Sequence, residues 1–98
     1  MEMLKKSFSL KGIDYNQYTR SKEICMYEVS HAGNALYYEV FQIPISHKKS
    51  AKGESGESKE DYSKVRFDNE KGYLIKSQLT AIKKFYEMLE ENEKNRNS

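Results

Sequence analysis

The chain has no tryptophan, one cysteine, one proline and no apolar run long enough to cross a bilayer. Cys25 alone cannot form an intrachain disulfide, and with only His31 and His47 as imidazole ligands it cannot complete a zinc site. The opening MEMLKKSFSL carries two lysines with no apolar stretch of signal-peptide length behind them. A soluble, unsecreted, cytoplasmic chain is therefore expected, with no membrane partner. A large excess of one charge is also missing. Seventeen Lys and Arg stand against 15 Asp and Glu, for a net charge of +2, which is not the basic body of a dedicated nucleic-acid binder.

Ninety-eight residues are enough for one domain, taken as 1–98. Only 37% of them are hydrophobic and 33% are charged, a thin supply for a core. Eight Tyr and four Phe offset this with large buriable faces. Charge is unevenly spread: residues 1–22 are basic, whereas residues 23–45 hold Glu23, Glu28 and Glu39 and no Lys or Arg.

The patterning predicts a small antiparallel sheet of three to five strands with a C-terminal helix packed on one face, an α+β fold. Leu4, Lys6, Phe8 and Leu10 alternate with Lys5, Ser7, Ser9 and Lys11 as an imperfect strand ending at Gly12. IDYNQYTRS reads as a loop or a short turn capped by Asp14. KEICMYEVS and LYYEVFQIPI flank HAGNA, where Gly33-Asn34 suits a two-residue hairpin turn. That turn pairs Val29 with Tyr38, Tyr27 with Val40 and Cys25 with Gln42. One face then carries Tyr27, Val29, Leu36, Tyr38 and Val40 as core, and Glu28 faces Glu39. Two like charges opposite each other require an exposed end or a different register.

Residues 46–61, rich in Ser, Gly, Lys and Glu, read as a long flexible loop. Their G-E-S-G-E-S spacing lacks the Gly-Lys-Ser/Thr of a phosphate loop. Val65 and Phe67 alternate as a further strand, NEKG makes a turn and YLIK another strand. Ser77 caps a helix from about Gln78 to Glu93, with Leu79, Ile82, Phe85, Tyr86 and Leu89 as its core stripe and Ala81 and Met88 beside them. Residues 94–98 form a disordered tail.

Candidate chemistry is sparse. Cys25 lies among apolar neighbours, with no nearby cation in sequence to activate it. His31 and His47 fall at opposite ends of the hairpin, so they share no metal or proton. No catalytic triad, metal cluster or acid–base pair in an apolar setting is found, so no enzyme activity and no cofactor are expected. The hairpin face away from the core, with Met26, Glu28, Tyr37, Glu39 and Phe41, is the candidate protein-binding surface. An edge strand receiving another strand is a second route, and a homodimer through such an edge its simplest form. The alternative is nucleic-acid binding, with Lys5, Lys6, Lys11, Arg20, Lys64 and Arg66 holding phosphates beside aromatic rings.

LYYEVFQIPI followed by KGYLIKSQLTAIKKFYEML resembles a group of small uncharacterised proteins encoded by phages and other mobile elements of gut bacteria. The likeness runs through Tyr38, Glu39, Val40 and Phe41, then Tyr73, Ala81, Ile82, Phe85 and Tyr86, over about half the chain. Members of that group often have a Trp-rich strand before the helix, where this chain has Lys71-Gly72-Tyr73. The resemblance implies a strand, a variable loop, an aromatic strand and a final helix. It also implies a small accessory module that modulates a protein of the host, such as an inhibitor of a defence protein.

Overall fold

In the computed structural model, residues 1–47 and 58–97 are described, the side chain of Asn97 apart. Strand β1 (Ser7–Leu10) turns into β2 (Ile13–Arg20) through Lys11 and Gly12, with φ of 52° and 82°. Strand β3 (Ile24–His31) turns into β4 (Asn34–Gln42) through Ala32 and Gly33, with φ of 51° and 82°. Two consecutive positive φ values are what a type I′ turn requires, and that turn matches the natural strand twist.

Strands β5 (Ile45–His47) and β6 (Ser58–Glu60) form a separate two-stranded sheet, followed by a 3-10 turn at Tyr62–Lys64. Strand β7 (Gly72–Ile75) then pairs with β4, giving an antiparallel sheet of order β1-β2-β3-β4-β7. Helix α1 (Gln78–Asn97) closes the chain, with the Ser77 hydroxyl accepting from the Thr80 N–H at 3.4 Å. The α+β class expected from the sequence is the fold observed.

The structure corrects several local expectations. IDYNQYTR is a strand, not a loop: Ile13, Tyr15 and Gln17 alternate with Asp14 and Asn16 until a bulge between Gln17 and Thr19 shifts the register. The β3–β4 turn is centred on Ala32-Gly33, one residue earlier than the expected Gly33-Asn34. A bulge at Leu36 then returns one residue, so Val29 pairs with Tyr37, Tyr27 with Glu39 and Cys25 with Phe41. A shift of one residue exchanges faces. Tyr38 and Val40 accordingly lie with Met26, whereas Tyr27 and Val29 look to the opposite side. Glu28 faces Tyr38 rather than Glu39, which removes the like-charge pair.

Val65 and Phe67 belong to no strand, and α1 runs on to Asn97, into the expected tail. On α1 the buried side chains are Ala81, Phe85 and Met88, while Leu79 and Tyr86, expected in the stripe, are 63% and 57% exposed. Of the expected loop 46–61, the ends lie in β5 and β6, and residues 48–57 fall outside the described residues, as does Ser98.

The core lies on both faces of the sheet. On one side Ile24, Met26, Tyr38 and Val40 meet Ala81, Phe85 and Met88 of α1. On the other, Cys25, Tyr27 and Phe41 are covered by Leu4 from the N-terminal segment and by Tyr62, Val65 and Phe67. Residues 61–67 thus form a strap across the face that the helix does not reach. Gly72 permits this crossing, since a Cβ there would sit on the carbonyl oxygen of Arg66.

Candidate functional site

Met26, Glu28, Tyr37, Glu39 and Phe41 do not make one surface. Met26 and Glu28 lie on the helix side with Val40 and Tyr38, while Tyr37, Glu39 and Phe41 lie on the strap side with Val29, Tyr27 and Cys25. Met26 and Phe41 are fully buried and Glu39 is 3% exposed. Two packed layers, rather than one, account for this hairpin's dense aromatic and branched residues.

An open concavity lies at the other end of β3. A groove of about 730 Å³ is lined by Met1, Met3, Ile43 and Ile45 together with Arg20, Lys22, Glu23 and Glu60. Met1, Met3 and Ile45 are 75%, 60% and 40% exposed. Glu60 assembles the site. Its two carboxylate oxygens accept from Nη1 and Nη2 of Arg20, both at 2.7 Å, and Oε1 also accepts from the Leu4 N–H at 2.8 Å. The Glu60 N–H donates to the Glu2 carbonyl at 2.8 Å, beside a parallel bridge between Glu2 and Lys59. Together these bonds tie the N-terminal segment to β6 and β6 to β2.

The Arg20 guanidinium holds the Glu60 carboxyl below the usual carboxylate range, and Arg20 is raised in return. Both charges are mostly buried, at 17% and 5% side-chain exposure, so the groove floor is a closed, mutually neutralised pair. Around it, Ser21 Oγ accepts from the Glu23 and Ile24 N–H groups at 3.2 and 3.0 Å and orders the β2–β3 turn. Glu23 pairs with Arg96 and accepts from Asn92 Nδ2 at 3.1 Å, which anchors the end of α1 beside the groove.

The strap side holds the buried polar groups Tyr62, Glu39, Cys25 and Tyr27, together with Gln17, whose Nε2 is buried without a hydrogen-bond partner among the described residues. Tyr62 donates to Glu39 Oε1 at 2.6 Å and meets Phe8, Tyr15, Tyr27 and Phe41 edge-on, with centroids 5.1 to 5.9 Å away. Burial raises the pKa of Glu39, and the bond from Tyr62 offsets this only in part. Burial also pushes the Cys25 thiol up to about 12, so at neutral pH it stays a protonated, unreactive core group. Tyr27 is likewise pushed up to about 12 by burial and donates to the Lys5 carbonyl at 2.5 Å. Among the described residues no three His, Cys, Asp or Glu side chains converge as metal ligands. His47 Nδ1 lies 2.9 Å from Ser58 Oγ at the exposed end of the β5–β6 sheet, and His31 ends β3.

The six candidate phosphate-binding residues are dispersed. Lys5 and Lys6 precede β1, Lys11 occupies the β1–β2 turn, and Lys64 and Arg66 lie on the strap. The Arg20 guanidinium is taken up by Glu60. Sequence reasoning missed Glu60, Met1, Met3 and Ile45, and placed Ile43 only on the hairpin's non-core face. Only the isolated apolar positions Ile43 and Ile45 around Pro44 carried any signal, since Glu60 closes a polar stretch that gives no cue to burial. No helix among the described residues is long and apolar enough to cross a membrane. Comparison with protein-family models, curated proteins and solved structures yields no match to this chain.

Proposed function

We propose that the chain is a non-enzymatic protein-binding module whose groove receives apolar side chains of a protein partner. The supporting observation is the groove itself: an open concavity with thioether and branched aliphatic walls over a floor whose ion pair is already closed. Exposed methionines suit such a role, because their flexible, polarisable side chains adapt to the shape of a partner. An apolar patch left open on a soluble protein commonly marks an interface. In this proposal the setting is that of a phage- or mobile-element-encoded modulator, acting by covering a surface of a host protein.

Ile45→Lys places a charge on the exposed rim without touching the core, and its cost in stability is expected to stay within about 0.5 kcal/mol. Affinity purification from the native host, quantified by mass spectrometry, should recover a partner with the wild type that is depleted at least about tenfold with Ile45→Lys, one buried contact being worth over 1.4 kcal/mol. Equal recovery with both proteins would remove the groove from the interface.

A further inference from the structure

The sheet has two edges, and the two differ in what they leave open. At β7, Gln42 N–H donates to the Lys71 carbonyl at 2.7 Å, which continues the β4–β7 register. By antiparallel alternation Tyr73 and Ile75 then face β4, while Gly72 and Leu74 face outward. The outward carbonyl of Gly72 is already used, accepting from the Asn69 N–H at 3.0 Å. One of the four outward groups on that edge is thus taken, and no lysine pair stands at its entrance.

At β1, Gln17 N–H donates to the Lys6 carbonyl at 2.7 Å, in register with the Phe8–Tyr15 and Leu10–Ile13 pairs. Lys6, Phe8 and Leu10 therefore face β2, and the N–H and C=O groups of Ser7 and Ser9 point away from the sheet. No other strand among the described residues pairs with β1. Ser7 and Ser9 are exposed, as is Leu10 at the strand's end. Lys5 and Lys6 stand at the entrance to this edge and Lys11 in the turn at its exit, all three exposed. The nearest carboxylate across the hairpin, Asp14, accepts from Ser9 Oγ at 2.6 Å.

We propose that β1 is a docking edge that accepts an extended acidic segment of a protein partner as an additional strand. Four outward main-chain groups of Ser7 and Ser9 supply the ladder, and lysines at both ends select for acidic residues flanking the incoming strand. The same lysines repel a second copy of β1 laid alongside, because its own three would fall against them. The edge is independent of the groove and involves none of the residues that line it.

The test uses a fluorescein-labelled heptapeptide of alternating Glu and Val, its Lys and Val counterpart, and the full chain. Ser7→Pro deletes one outward N–H and leaves the β1–β2 ladder intact, since that N–H serves no bond within the sheet. The triple variant Lys5→Glu, Lys6→Glu, Lys11→Glu retains the ladder groups and reverses the charge. The acidic peptide should bind the wild type, weaken as salt rises, and slow amide exchange at Ser7 and Ser9. Ser7→Pro should weaken it by about tenfold or more, a lost ladder bond in a desolvated contact being worth over 1.4 kcal/mol. The triple variant should lose the acidic peptide and gain the basic one, while Ile45→Lys should bind the acidic peptide as the wild type does.

Absence of binding to the wild type would overturn the proposal, as would equal binding to Ser7→Pro, which would reduce the effect to nonspecific charge attraction. Equal binding of the basic peptide would overturn the acidic assignment. Dimerisation of the wild type that Ser7→Pro abolishes would assign the edge to a second copy instead.

Discussion

Two buried glutamates have opposite consequences. Glu60 is held below the usual range by Arg20, so its charge favours the folded state above the ordinary carboxyl pKa of 4.5, and this contribution is lost as pH falls through the lowered folded value. Glu39 is raised by burial: its favourable contribution is complete below 4.5 and is lost as pH rises through its folded pKa. Glu60→Ala should therefore cost about 3 kcal/mol at pH 7 in urea unfolding, because it leaves Arg20 partly buried without its partner. Tyr62→Phe should cost about 2 kcal/mol at pH 7, since the Glu39 carboxylate loses a donor, and the gap to wild type should narrow as pH falls from 7 towards 4.5, through the raised folded pKa at which Glu39 becomes neutral. A difference that stayed constant between pH 7 and pH 4 would assign the cost to packing of the ring. Neither partnership was legible in the sequence. Arg20 and Glu60 are 40 positions apart, Glu39 and Tyr62 are 23 apart, and a charged residue on a strand reads as exposed unless the second layer over it is known.

The hairpins show which local signals carried and which did not. Density of β-branched and aromatic residues placed β3 and β4 correctly, and the cap at Ser77 placed the start of α1. The turn was off by one residue because Ala32, not an expected left-handed residue, takes φ of 51° ahead of Gly33. Ala32→Asn converts the turn to Asn-Gly, whose first residue tolerates positive φ, and should stabilise by about 1 kcal/mol. Thermal melting should show this as a rise of about 5 °C; a fall would mean that Ala32 meets a constraint beyond its backbone angle. Strand β2 was misread because its Ile13–Tyr15–Gln17 alternation is broken by a bulge, and a pattern count across a bulge cancels itself. The helix stripe held at Ile82, Phe85 and Leu89 and failed at Leu79 and Tyr86, which are apolar yet face solvent. Contact with β3, β4 and β7 centres the buried face on Ala81, Phe85 and Met88. At β7, Gly72→Ala should cost about 3 kcal/mol or more, because the added methyl displaces the main chain of the strap. A stable Gly72→Ala protein would show that residues 61–67 do not press on the sheet.

At the scale of the whole molecule, a chain that is only 37% hydrophobic covers both faces of a five-stranded sheet, one with a helix and the other with a strap and the N-terminal segment. The α+β class was readable because it depends on which elements exist. The second layer was not, since the strap holds few apolar residues and its covering role depends on Tyr62, Val65 and Phe67 arriving from a distant part of the chain. That layer turned the suspected contact residues Glu39 and Phe41 into core, the register placed Met26 under α1, and the open apolar groove lies instead at Met1, Met3, Ile43 and Ile45. The methionines themselves offer the most direct check. Of the four in the chain, Met26 and Met88 are buried and Met1 and Met3 open on the groove. Photo-methionine substituted throughout and activated in native-host extract should cross-link a protein partner through Met1 or Met3, and Ile45→Lys should abolish the adduct. A partner that co-purifies without cross-linking at either position, or an adduct that Ile45→Lys leaves unchanged, would contradict the groove as the binding site.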